Sequence, residues 1–125
     1  MLGLEKWRKI AALPLTYRHQ VLVTEFAIRA SDFGLRGGIP EHSLGPVRAD
    51  LFYPSKGLAV EIDTGTTSHQ QLISKAQRYR KIETDQVVMV TEGPSDRLKT
   101  FLSILGHGVG ARFEQLDKLL RSITA

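Results

Sequence analysis

Val47-Arg48-Ala49-Asp50-Leu51-Phe52-Tyr53, then Pro54-Ser55-Lys56-Gly57, then Leu58-Ala59-Val60-Glu61-Ile62-Asp63 is the stretch on which the fold turns. Its outer segments are rich in β-branched, aromatic and aliphatic residues, and the middle one carries the Pro and Gly of a tight turn, so the whole predicts a β-hairpin. Glu61 and Asp63 are two apart on the returning strand, and a period of two sends both side chains to one face. Asp50 sits in the middle of the outgoing strand. Carboxylates on strands otherwise made of Leu, Val, Ile and Ala need a reason, because an unpaired charge against a core is costly. A divalent cation would supply one: hard oxygen ligands from adjacent strands suit Mg2+ or Mn2+. The alternative is a hairpin with one solvated face, where Glu61 and Asp63 point to water or pair with Arg48. Periodicity alone does not choose between them.

Outward from the hairpin, the pattern alternates between helix and strand. On the N-terminal side, Leu4 to Leu13 has helical spacing and stops at Pro14, which reads as a helical extension over residues 1–15 ahead of a single domain over 16–125. Thr16 can cap the next helix, on which Val21, Leu22, Phe26, Ala27 and Ala30 form one apolar face ending near Asp32 to Gly34. Gly37, Gly38 and Pro40 leave Leu35 to His42 at best a short, interrupted strand. On the C-terminal side, Thr67 or Ser68 is placed to cap a helix from about His69 to Ile82, with Leu72, Ile73, Ala76 and Tyr79 inward. Gln86 to Thr91 reads as a strand covered on both faces. Ser95 is placed to cap a helix from Asp96 to Leu105, and Phe113 to Ile123 predicts a terminal helix. The order helix, three strands, helix, strand, helix indicates an α/β layer arrangement.

Bulk composition narrows the function classes. With 125 residues and no cysteine, the chain is long enough for one packed core and has no disulfide, thiolate metal site or cysteine nucleophile. The four histidines lack paired metal-ligand spacing, which argues against a histidine zinc site. No apolar run reaches the length of a membrane span and the start does not read as a signal peptide, so a cytoplasmic protein without membrane contact is expected. A net charge of +4 favours a polyanionic partner without requiring one. Lys75, Arg78, Arg80 and Lys81 form a basic run close to the acidic strand and are candidates to track phosphates. Gly106-x-Gly108-x-Gly110 is not a phosphate loop on this reading, since no strand precedes it.

The series Arg48-Ala49-Asp50-Leu51, a turn, Val60-Glu61-Ile62-Asp63-Thr64-Gly65-Thr66, and a helix holding Lys75 and Tyr79 resembles the PD-(D/E)XK nuclease superfamily. More narrowly it resembles the replication-relaxation proteins of bacterial mobile elements, whose early helix opens much as His19, Val21 and Val23 do here. The likeness spans roughly residues 16 to 105. It implies a nuclease-like core, αβββαβ with a mixed central sheet, carrying here an extra C-terminal helix. It also implies roles: Asp50 and Glu61 as metal ligands with the Ile62 carbonyl, Glu25 as a metal-orienting glutamate, and DNA as substrate. The superfamily lysine two residues after its glutamate is Asp63 here. That leaves Asp63 as a third metal ligand or as the mark of a lost activity, with Lys75 relocated to supply the charge. Gln71, one helical turn earlier, and Arg48 join the basic run as nucleic-acid contacts. The expectation is a Mg2+- or Mn2+-dependent DNA endonuclease of a plasmid, phage or other mobile element, with Asp50, Glu61, Asp63 and Lys75 catalytic. The alternative is an inactive nuclease-fold DNA-binding protein of plasmid replication or conjugative transfer. A homodimer, and replication or conjugation proteins, are the further partners left open. Replication-relaxation proteins usually carry a winged-helix region ahead of such a domain, and none is visible in this sequence.

Overall fold

All six residues of the strand Leu58–Asp63 are buried, and the rest of the molecule is arranged to cover them. The structure, a computed structural model, describes residues 15–82 and 84–125. The expected helix over Leu4 to Leu13, Trp7 included, lies outside the described residues. In chain order the elements are α1 (Leu15–Asp32), β1 (Ile39–Ser43), β2 (Arg48–Tyr53), β3 (Leu58–Asp63), α2 (His69–Arg80), β4 (Gln86–Thr91), α3 (Asp96–Leu105), β5 (Val109–Arg112) and α4 (Leu116–Thr124). Single turns of 3-10 helix sit at Pro54–Lys56 and Phe113–Gln115. No helix among the described residues is long and apolar enough to cross a membrane.

The strands form one mixed sheet in the order β1-β2-β3-β4-β5, antiparallel from β1 to β3 and parallel from β3 to β5. The two parallel steps need crossovers, and α2 and α3 supply them. Both crossovers step the same way along the sheet, so a common right hand puts both helices on one face. There Leu72, Ala76 and Tyr79 of α2 and Phe101 and Leu105 of α3 pack on Ala59, Val87 and Met89. The other face is covered by Leu22, Phe26 and Ala30 of α1 and by Leu116, Leu119 and Leu120 of α4, against Val60, Ile62, Val88 and Val90. Arg29 of α1 ties these two helices together through a fork of 2.8 Å contacts to both Asp117 oxygens.

Several sequence expectations needed adjustment. Thr16 lies inside α1 rather than at its cap. Ser68, not Thr67, caps α2, in a reciprocal capping box with Gln71. Ser95 precedes α3 but makes no side-chain cap, because its own φ and ψ are already helical where a capping residue is extended. The first strand is Ile39–Ser43, mostly exposed, and its Pro40 is tolerated because β1 is an edge.

The clearest miss is β5. Its strand character is hidden by glycine, and the glycines are there for close approach. A Cβ on Gly108 would stand 2.6 Å from the Val87 carbonyl, and one on Gly110 would stand 2.8 Å from the Met89 carbonyl and 2.9 Å from Leu98. Gly108 and Gly110 are thus packing devices at the seam of β4 and α3, while Gly106 ends α3 in a left-handed cap at φ 87°. Overpacking such a seam costs about 1–3 kcal/mol, so Gly110→Ala is expected to lower the unfolding free energy by that amount in urea denaturation.

Candidate active site

Asp50 stands where β2 changes the face it presents. Ala49 packs in the layer under α2 while Leu51, two residues on, packs in the layer under α1. Regular alternation would put both on one side. The change is shared by β1: the flanking pairs Pro40↔Leu51 and His42↔Ala49 bring Glu41 opposite Asp50, and Glu41 has φ 48°. A non-glycine residue in that left-handed region costs of order 1–3 kcal/mol and tends to persist at functional sites. On the other side the β2–β3 ladder runs from Tyr53↔Leu58 to Leu51↔Val60. One step further the Asp50 side chain replaces the ladder, its Oδ2 accepting the Ile62 N–H at 2.7 Å. His19 Nε2 of α1 lies 3.3 Å from the same oxygen. Burial works to raise the Asp50 pKa, but the His19 and Ile62 hydrogen bonds and the Lys75 charge hold it below the usual carboxylate range. In return, the bond to Asp50 lifts the His19 imidazole above its ordinary value.

Glu61 is deeper, at 4% exposure, and α2 provides both of its partners. Lys75 and Tyr79 are four apart and so share one helix face. The Tyr79 hydroxyl donates to Glu61 Oε1 at 2.5 Å, and Lys75 Nζ lies 2.7 Å from Oε2. Burial, followed by the Asp50 charge, pushes the Glu61 pKa above the ordinary carboxylate range, while the Lys75 charge and the Lys75 and Tyr79 hydrogen bonds pull it back toward the charged form. Burial disfavours the Lys75 ammonium, yet Glu61 outweighs it and keeps the lysine above its ordinary pKa. Tyr79 is therefore more than core packing: its buried hydroxyl orients the glutamate.

Asp63 shares the face of Glu61, as the strand period requires, but its carboxylate is committed elsewhere. Arg97 of α3 forks onto it, Nε to Oδ2 at 2.7 Å and a terminal nitrogen to Oδ1 at 2.9 Å. Thr91, its register partner on β4, donates to Oδ2 at 2.6 Å. Arg97 also donates to the Thr67 carbonyl and hydroxyl, at 2.9 and 2.7 Å, and so fixes the β3–α2 loop. Burial raises the Asp63 pKa, and the Arg97 and Thr91 bonds more than offset it, leaving the group below the usual range. Arg97 is the partner that sequence reading missed. It lies 34 residues from Asp63, and only the β4–α3 crossover brings it back.

The remaining candidates divide in two. Lys75, Gln71 and Arg78 line a cavity of about 310 Å3 with His19, Glu61 and Asp63. Gln71 spends its side-chain carbonyl on the Ser68 N–H, leaving its amide N–H groups for that space. Arg80 and Lys81 are exposed, and the residues lining the cavity do not include them; the basic run is split by the helical period. Arg48 is exposed on β2 opposite Ser43 of the edge strand. Glu25 is buried on α1, 3.6 Å from Arg29, and lines neither this cavity nor a second one of about 300 Å3 that meets it at His19 and includes Asp50. Among the described residues no group of three or more His, Asp or Glu converges as a metal cage. What the fold brings together is the pair Asp50 and Glu61, with His19, Lys75 and Tyr79 around it.

No protein-family profile, curated protein or solved structure matches the chain. The site's reading rests on its own chemistry.

The Asp63–Arg97 pair yields a test of stability. Its folded-state pKa is depressed, so its contribution is present above the ordinary aspartate pKa and fades as pH falls through the lowered value. Leaving Arg97 buried without its partner costs about 3–5 kcal/mol. Asp63→Asn is expected to lose that much in chemical denaturation at pH 7, with the gap to the wild type narrowing below about pH 4.

Proposed function

We propose that this chain is a divalent-metal-dependent DNA endonuclease of PD-(D/E)XK type, akin to the replication-relaxation proteins of mobile elements. The observation that carries this reading is the placement of Asp50 and Glu61 on adjacent strands, each lining one of two cavities that share His19, with a lysine on Glu61.

The donor set fits the ion. Mg2+ is usually held by one or two carboxylates while keeping several waters and bridging to substrate phosphates, so a full protein cage is not required. Asp50 lines an open cavity together with His19, and among the described residues its Oδ1 makes no hydrogen bond. Asp50 and Glu61 would hold Mg2+ or Mn2+. When bound, such an ion polarises a phosphodiester and lowers the pKa of an attacking water.

The chain's own residues then have distinct tasks. His19 and the Ile62 N–H fix one oxygen of Asp50, leaving the other to face the ligand. Tyr79 fixes Glu61 Oε1, while Oε2 is held by Lys75. Lys75 offers positive charge to the phosphoryl oxygens as charge builds on them, a role in which a fixed cation in a partly buried site is effective. Arg78 and the amide of Gln71 bind phosphate along the 310 Å3 cavity. Asp63 has no place in this scheme except to hold Arg97 and the loop above the site.

A second reading has one observation in its favour. Asp63 occupies the position at which the superfamily resemblance calls for lysine, and it is sealed by Arg97. That supports an inactive nuclease-fold DNA-binding protein acting in plasmid replication or conjugative transfer.

Purified protein incubated with plasmid, branched and single-stranded DNA separates the two. Cleavage that needs Mg2+ or Mn2+ and stops in EDTA is expected. Asp50→Ala and Glu61→Ala are expected to lose more than about 100-fold in rate, since even partners outside the ligand shell cost roughly 10–100-fold. Salt-sensitive DNA binding with no cleavage under any metal would instead select the second reading.

A further inference from the structure

Four acceptor positions belong to the Asp50–Glu61 pair, and three of them are engaged in ways that leave Lys75 in control of the site. Asp50 Oδ2 takes the Ile62 N–H and His19. Glu61 Oε1 takes the Tyr79 hydroxyl from inside the core, and Glu61 Oε2 takes Lys75 Nζ at 2.7 Å. The Tyr79 and Ile62 donors are rigid, one a buried ring and the other backbone. Lys75 is different: its side chain is 32% exposed, and its flexible stem lies along a cavity of about 310 Å3 that also holds Arg78 and Gln71. Oε1 already takes the hydroxyl of the buried Tyr79, so a cation approaching Glu61 from the cavity meets Oε2 and the Lys75 ammonium that holds it.

We propose that Lys75 is a tethered counter-ion of Glu61 which a divalent metal ion must displace, so that metal binding itself sends the lysine ammonium into the cavity where phosphate is bound. The inference rests on the metal-dependent reading above and adds to it an order of events. Before metal arrives, Lys75 offsets the buried carboxylate and keeps α2 seated on β3. Afterwards the metal neutralises the carboxylates, and Lys75, repelled by it, becomes the phosphate-facing charge. The design suppresses metal affinity in the absence of substrate phosphate, which offers both cations negative charge at once.

Mn2+ binding by isothermal titration, without DNA, tests this on the wild type and on Lys75→Met, with Lys75→Gln as a second variant should the first fail to fold. Loss of the competing ammonium is expected to tighten Mn2+ binding at least tenfold, with Glu61→Gln abolishing it. In parallel, amine-reactive labelling of the wild type read by mass spectrometry is expected to rise severalfold at Lys75 when Mg2+ is added, with Lys81 and Lys99 unchanged. Mn2+ binding by wild type and Lys75→Met with equal affinity, or weaker binding by the variant, would overturn the displacement while leaving the metal site intact. So would labelling at Lys75 that saturating Mg2+ leaves unchanged. Absence of Mn2+ binding in every variant would overturn the metal reading itself, and the displacement with it.

Discussion

A carboxylate taken out of water must find donors or a cation, or it destabilises the fold by several kcal/mol. The chain places two of them, Glu61 and Asp63, on a strand with no exposed residue. The layers around β3 answer that demand one carboxylate at a time. Helix α2 brings Tyr79 and Lys75 to Glu61, α3 brings Arg97 to Asp63, and α1 brings His19 to Asp50. Each helix also buries an apolar face, and the directional polar contacts add to that packing in setting which turn lies over the sheet.

The two faces of this solution differ in how final they are. Asp63 meets an arginine fork, a geometry that matches carboxylate on both oxygens and is pre-organised. It also gains a hydroxyl from its register partner, and the loop above is tied to the same arginine. Nothing in that cluster has slack. Glu61 and Asp50 are met instead by a flexible lysine and a half-exposed imidazole, with open cavities on either side of His19. Burial raises the Glu61 pKa, while hydrogen bonds from His19 and Ile62 hold that of Asp50 low.

Much of this was legible from local pattern. The hairpin, the strand Gln86–Thr91, the helix bearing Lys75 and Tyr79, and the common face of Glu61 and Asp63 all follow from periodicity and turn chemistry, because their determinants lie within a few residues of one another. What was hidden is non-local or contrary to pattern. Arg97 reads as one more surface cation of an amphipathic helix until the crossover returns it to Asp63. Strand β5 is disguised by glycines selected for the close approach of β4 and α3 rather than for strand propensity. The turnover of β2 at Asp50 cannot be seen in a strand whose residues alternate plausibly throughout; only the split of Ala49 and Leu51 between two cores, with Glu41 in a left-handed conformation, exposes it.

A residue two places beyond Glu61 is about 6.6 Å further along the strand on the same face, and a lysine there could arch back to the Glu61 carboxylate from the strand side. Here the positive charge arrives from above, on α2, and meets the same oxygen. On the proposed nuclease reading the role calls for an ammonium within contact of Glu61 Oε2, and α2 delivers one here. Once α2 supplies that charge, a strand lysine would bring a second cation into like-charge contact with the first. An acid paired to Arg97 costs the site nothing in net charge, and it braces the β3–α2 loop from which the Lys75 helix starts. Asp63 is thereby coupled, through Arg97, Thr67 and the Ser68 cap, to the helix that carries Lys75.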